Sequence, residues 1–233
     1  MADRSVNIDD ILGAVYAFEE RPAPATRANT VLLLIDIQVM ASADYLLDQA
    51  LSAGFEAGVA RTALADYKRR FDAAVDRCAE LLSAARAHGV RPIHVKIEAL
   101  AGDAADTGAV HGRLGWRFPP GANGSAFLPP VAPEPGEIVL TKTCSGAFNG
   151  TILDTVLRNL GITHLIVCGF VTDECVETTA RVALDLGYLP RIVADATTTY
   201  HDASARHVLG KFGGWGLTTT AAEVRALFAG MPD

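Results

Sequence analysis

Six short strand-like runs recur along the chain, near residues 30–36, 91–96, 137–141, 164–168, 189–194 and 215–219, and those at 30–36, 137–141 and 164–168 are apolar runs. Helix-like or irregular segments separate them. Unbroken apolar runs of about four to eight residues suit strands buried on both faces. Strands that alternate with helices pair in parallel, because each crossover returns the chain to the same edge. The pattern predicts an α/β fold: three layers, α/β/α, around a mostly parallel, doubly wound (Rossmann-like) sheet.

Chemistry gathers at the ends of these runs. Leu165-Ile-Val-Cys168 leads into Gly169-Phe-Val-Thr-Asp-Glu-Cys175, and Val176, Ala180 and Ala183 then recur at helical spacing. Thr172 and Asp173 are good N-cap residues, so Cys175 is expected in the first turn of a helix. Free amide N–H groups and the positive end of the helix dipole favour an anion there, such as a thiolate or a tetrahedral oxyanion. Two other runs end in charge, Thr30–Ile35 in Asp36 and Glu137–Thr141 in Lys142. In open α/β sheets the carboxyl edge of the strands is where ligands bind.

Between the runs, Phe71, Val75, Cys78, Leu82 and Ala85 mark one face of a long helix that stops at His88-Gly89. Residues 37–58 read as irregular to weakly helical. Helices are expected near 149–160, from Cys175 to Leu186, near 202–210 and near 220–229. Residues 98–135 are rich in Gly, Pro, Ala and Asp without sustained period, and are read as a pocket-covering loop. Residues 1–29 form an extension, with Ile8, Ile11, Leu12, Val15 and Phe18 as an apolar stripe ahead of Arg21-Pro-Ala-Pro24. Residues 30–233 then form a single domain, a size well able to bury its own core.

Half of the 233 residues are apolar and the net charge is −7. That charge argues against nucleic acid or an anionic membrane as partner. Met1–Asp10 is polar and acidic, unlike a signal peptide, and no run is long enough to span a bilayer. Four cysteines without framework spacing suit a reducing, cytoplasmic setting.

Three segments in order, Leu33-Leu-Ile-Asp36-Ile-Gln38, Lys142-Thr-Cys-Ser-Gly-Ala-Phe-Asn-Gly-Thr151 and Gly169–Arg181, together with Val193-Ala-Asp-Ala196, resemble the isochorismatase-like cysteine hydrolases. That superfamily includes nicotinamidases, carbamoylsarcosine amidase, biuret hydrolase and ureidoacrylate amidohydrolase. The resemblance implies a catalytic trio of Asp36, Lys142 and Cys175. It also implies an oxyanion hole from the N–H groups of Val171 and Cys175, beside a cis peptide between Phe170 and Val171. Chemically, a carboxylate facing a thiol can take its proton and return it to a leaving nitrogen, and an ammonium can hold both anions. The bland alternatives are a helix cap for Asp36 and a solvated strand end for Lys142. Cys144, a rival nucleophile without a helix start, is read as packing, and Cys78 and Cys168 as core.

The nicotinamidase branch carries an Asp-x-His pair after its second strand. Here that strand runs His94-Val-Lys96-Ile-Glu98 without one, and no metal or other cofactor is expected. Gln38, Trp116, Arg117, Phe148, Asn149 and Phe170 are the candidate substrate contacts. Phe148 and Asn149 offer a stacking face and an amide, although Asn149 equally suits a helix cap, and Arg117 suits a substrate carboxylate or a plain surface position. The expected activity is cysteine-dependent hydrolysis of a linear C–N bond in a small amide, carbamoyl or ureido compound, releasing ammonia. The alternatives are isochorismatase-type vinyl-ether hydrolysis and a non-catalytic binding domain. Because the resembling enzymes commonly assemble, a homo-oligomer acting on a small molecule is expected.

Overall fold

In the computed structural model, residues 6–15 and 23–232 are described. Six strands form its spine: β1 (Thr30–Ile35), β2 (Arg91–Ile97), β3 (Ile138–Lys142), β4 (His164–Phe170), β5 (Leu189–Thr198) and β6 (Thr218–Thr219). All pair in parallel, in the order β3-β2-β1-β4-β5-β6. The winding therefore reverses between β1 and β4. Each of these two strands is buried along its whole length, as their unbroken apolar sequences require.

Side chains alternate across β1 and feed two cores. Leu32 and Leu34 pack with Phe71, Cys78 and Leu82 of α3 (Ala57–Ala87) and with Val224 and Phe228 of α8 (Ala221–Gly230). Val31, Leu33 and Ile35 pack on the other face with Leu153 and Leu157 of α5 (Leu153–Asn159), Ala180 and Ala183 of α6 (Glu177–Asp185), and Phe212 of α7 (Asp202–Gly214). The result is the expected α/β/α sandwich.

Three local expectations are corrected. Residues 43–52 form a regular helix, α2, because Ser42 caps it by accepting a hydrogen bond from the Tyr45 N–H. Asn149 caps nothing: α5 begins only at Leu153, after Ile152. The 98–135 segment carries a short helix, α4 (Ala109–Arg113), and two 3₁₀ turns, and it is anchored by buried Ala104, His111, Phe118, Ser125 and Val131.

In the extension, α1 (Ile8–Val15) exposes Ile8, Ile11 and Val15. The Leu12 side chain, Phe18 and Arg21-Pro22 lie outside the described residues. Among the described residues, no helix is long and apolar enough to cross a membrane.

One glycine decides how β1 and β4 meet. Gly169 has φ +120°, and a Cβ placed there would stand 1.9 Å from the Ile35 carbonyl oxygen. Neither backbone can move without breaking the central ladder. Gly169→Ala is expected to cost more than about 4 kcal/mol, read as the loss of a cooperative urea transition at the wild-type midpoint. A fully folded variant within about 1 kcal/mol of wild type would refute that close approach.

Candidate active site

Where the winding reverses, the carboxyl ends of the strands open into a cavity of about 320 Å³. Asp36 directly follows β1 with φ +48°, a left-handed conformation that aspartate tolerates better than most residues. Its N–H donates to the Val95 carbonyl and its own carbonyl accepts from the Gln38 N–H, so the turn is held at both ends. Lys142 is the last residue of β3, and its Nζ stands 2.7 Å from Asp36 Oδ2. The same ammonium donates to the Cys144 carbonyl at 2.9 Å and lies 3.4 Å from Cys175 Sγ. Asp36, Lys142 and Cys175 are thus brought together, all buried.

Their charges depend on one another. Burial raises the Asp36 pKa above its ordinary value, and Lys142 opposes that rise. Burial would lower the Lys142 pKa, but the Asp36 and Cys175 side chains outweigh it and hold the ammonium above its usual range. Their 2.7 Å contact makes this an ion pair at neutral pH. Burial also pushes the Cys175 thiol well up, with Lys142 opposing and Asp36 adding to the rise. Burial thus works against the thiolate that a helix start would favour: water is excluded, and Lys142, committed to Asp36, offsets that only in part.

The expected helix start is corrected. Thr172–Val176 is a single π turn with Val171 ahead of it, and α6 follows from Glu177. Thr172 does not cap; its hydroxyl meets Thr197 Oγ1 at 2.8 Å, tying the turn to β5. The Phe170–Val171 peptide is cis, as the resemblance implied. Val171 and Cys175 both line the cavity, and the Val171 N–H has no hydrogen-bond acceptor among the described residues. π turns are hard to foresee, because no residue type signals an i→i−5 bond such as the one from the Val176 N–H to the Val171 carbonyl.

The other candidates divide. Trp116, Arg117 and Phe170 line the cavity, and the Phe170 ring packs on Phe71 at 4.3 Å between centroids. Gln38 does not line it. Its amide donates to the Ile97 and Ser125 carbonyls and accepts from the Ile97 N–H, which leaves it a brace between β2 and the covering loop. Gln38→Ala is expected to orphan these buried backbone groups and cost about 2–4 kcal/mol in urea unfolding; a cost below about 0.5 kcal/mol would refute the brace. Phe148 stacks on Tyr188 instead, and Asn149 borders a separate recess with Cys144 and His111. The loop turns both away from the cavity.

Sequence reasoning missed several wall residues. Tyr45, Glu174 and Tyr200 all line the cavity. α3 positions much of the wall. Tyr67 donates to the Ala41 carbonyl, Arg70 to the Thr199 and Tyr200 carbonyls, and Phe71 supports Phe170. The spacing of 67, 70 and 71 places all three on one helix face, a signal visible in retrospect. Among the described residues, no group of three or more His, Cys, Asp or Glu side chains is placed to hold a metal ion.

A cavity at the switch point of a doubly wound sheet, holding a buried thiol, carboxylate and ammonium, defines a small-molecule site of the α/β class. This chain belongs to the isochorismatase family: the Isochorismatase domain matches residues 30–223. It is 30% identical over 235 residues to a ureidoacrylate amidohydrolase of Azorhizobium caulinodans, covering 91% of this chain and 96% of that protein. A shorter match, 38% identical over 96 residues, covers 40% of this chain and 51% of an isochorismatase family protein of Bacillus subtilis, so this chain spans about half the length of that relative. In fold it is similar to a cysteine hydrolase from Pseudomonas syringae, with a TM-score of 0.69 at 22% identity, covering 91% of this chain and 99% of that one. The chain is accordingly an isochorismatase-family hydrolase.

Proposed function

We propose that this protein is a cysteine-dependent amidohydrolase that cleaves a linear C–N bond of a small amide, carbamoyl or ureido compound and releases ammonia. The observation that carries the reading is the buried Asp36–Lys142–Cys175 cluster opening on the cavity. Similarity to an amidohydrolase along nearly the whole chain supports the same bond type.

In this reading Cys175 Sγ attacks the carbonyl carbon while its proton passes to Asp36. The transfer leaves the net charge of the buried cluster unchanged, which matters because creating an extra charge there is costly. The N–H groups of Val171 and Cys175 receive the oxyanion. Asp36 then gives its proton to the leaving nitrogen. Water, deprotonated by the freed Asp36 carboxylate, hydrolyses the thioester, and the returning proton restores the thiol. Lys142 keeps the carboxylate oriented throughout. Trp116, Arg117 and Phe170 shape the substrate end of the cavity.

The test is ammonia release over a panel of ureido acids, biuret-like compounds, nicotinamide, maleamate and simple amides, with isochorismate as the vinyl-ether control. Turnover of at least one C–N compound is expected; turnover of isochorismate alone overturns the reading.

The same reading takes residues 30–233 as one catalytic domain working in the cytoplasm on a small molecule. The exposed apolar residues of α1 support a homo-oligomer in which the extension meets a neighbouring subunit. Light scattering on the eluting protein at micromolar concentration should give a dimer or larger species; a monomer refutes the assembly.

A further inference from the structure

The charges that face the cavity are unequal in kind. Asp36 and Lys142 neutralise one another at 2.7 Å. Arg117 sits exposed at the rim, and its guanidinium donates to the Ala104 carbonyl. A solvated, rim-exposed cation attracts a substrate anion only weakly. Glu174, on the π turn next to the nucleophile, is different: it is half-buried on the cavity wall, and its carboxylate makes no hydrogen bond or ion pair among the described residues. Burial raises the Glu174 pKa, its neighbour Asp173 adds to the rise, Lys142 opposes it, and Tyr200 stands close by. Tyr200, partly buried beside Glu174, lines the same cavity, and its ring is fixed by a 5.2 Å contact with Tyr67.

A half-buried carboxylate with no partner is unfavourable unless something positive joins it. An aromatic wall next to it suits the same kind of guest, since ring faces attract cations. We propose that Glu174 is the specificity-determining residue of this cavity and that the substrate carries a positive charge: an amide, carbamoyl or ureido compound with an ammonium or guanidinium group seated between the Glu174 carboxylate and the Tyr200 ring. The inference rests on the amidohydrolase reading for the bond cleaved, but the charge preference follows from the wall alone. A substrate anion would meet the Glu174 carboxylate, within a protein whose net charge is −7.

The experiment uses the full chain and three small amides that differ in charge: betaine amide, its uncharged isostere 3,3-dimethylbutanamide, and succinamate. kcat/KM for ammonia release from betaine amide is expected to exceed that of the neutral isostere at least tenfold. Glu174→Gln should remove most of that ratio, whatever its effect on the neutral amide. Equal turnover of cation and isostere, a preference for succinamate, or a parallel loss of both in the variant overturns the proposal. The wild-type preference needs no variant, so a poorly folded Glu174→Gln protein does not protect the idea. If no amide is turned over, calorimetry of the same ligands on the wild type decides. Tighter binding of betaine amide than of its isostere sustains the charge assignment while the amidohydrolase reading falls. Equal or undetectable binding of the two overturns the charge assignment itself.

Discussion

Cys175→Ala is expected to lower ammonia release by at least about 10⁴-fold, while its urea midpoint stays close to that of wild type. The two halves of this expectation have separate causes. In the proposed mechanism the sulfur forms and releases the acyl bond, so without it there is no thioester. Structurally, the thiol is one small buried group, and its removal leaves a void of only about one heavy atom. Cys175→Ser should be inactive as well. A hydroxyl in the same buried place is a far weaker acid than the thiol it replaces, and the same carboxylate is too weak a base to draw its proton. Turnover above about one part in a hundred in either variant would show that another group attacks. Cys144, next in line by sequence, would then be the first to test.

Lys142→Met is expected to produce the second large effect, on stability and activity together. In wild type, Lys142 and Asp36 are both essentially inaccessible, with side-chain exposures of 0% and 2%. Removing the cation leaves a buried carboxylate without its counter-charge and the Cys144 carbonyl without its donor, at a cost of about 3–5 kcal/mol at neutral pH. The cost depends on pH in a defined direction. Burial already raises the Asp36 pKa in the folded protein, and losing Lys142 raises it further. The folded variant therefore holds a proton that the unfolded chain releases near pH 4. Stability relative to wild type falls as pH rises from that point through the raised folded value, and it recovers as the pH is lowered back toward 4. Adding Asp36→Asn to Lys142→Met should restore most of the lost stability, because both charges are then gone, yet leave activity absent. A single variant with a flat pH profile and a loss below about 1 kcal/mol would show that the ion pair does not govern the site.

Asp36, Lys142 and Cys175 lie more than a hundred residues apart at the extremes, yet Asp36 follows an apolar run, Lys142 ends one, and Cys175 lies in the first turn after another. Parallel winding sends every such end to one edge of the sheet, so a pattern of runs suffices to gather them. The same logic fails for Phe148 and Asn149. They belong to a loop after β3, and a loop's path is set by what it packs against: here Tyr188 takes the phenylalanine ring. Gln38, read as a substrate contact, turns its side chain inward instead, because the covering loop crosses close enough to supply the Ser125 carbonyl. No local feature of residues 36–38 could have foretold that approach.

The periodic part was legible in the residues alone: six parallel strands, the long α3 with its apolar face, and the strand-end placement of the reactive groups. Those follow from local spacing and from the rule that buried backbone must pair. The environment of the site came from tertiary packing. The π turn, the raised pKa of the Cys175 thiol, the lone carboxylate of Glu174 and the wall built by Tyr67, Arg70 and Phe71 all depend on which distant segments exclude water from one another. Burial and charge coupling are properties of the assembled cavity, and no stretch of sequence carries them alone.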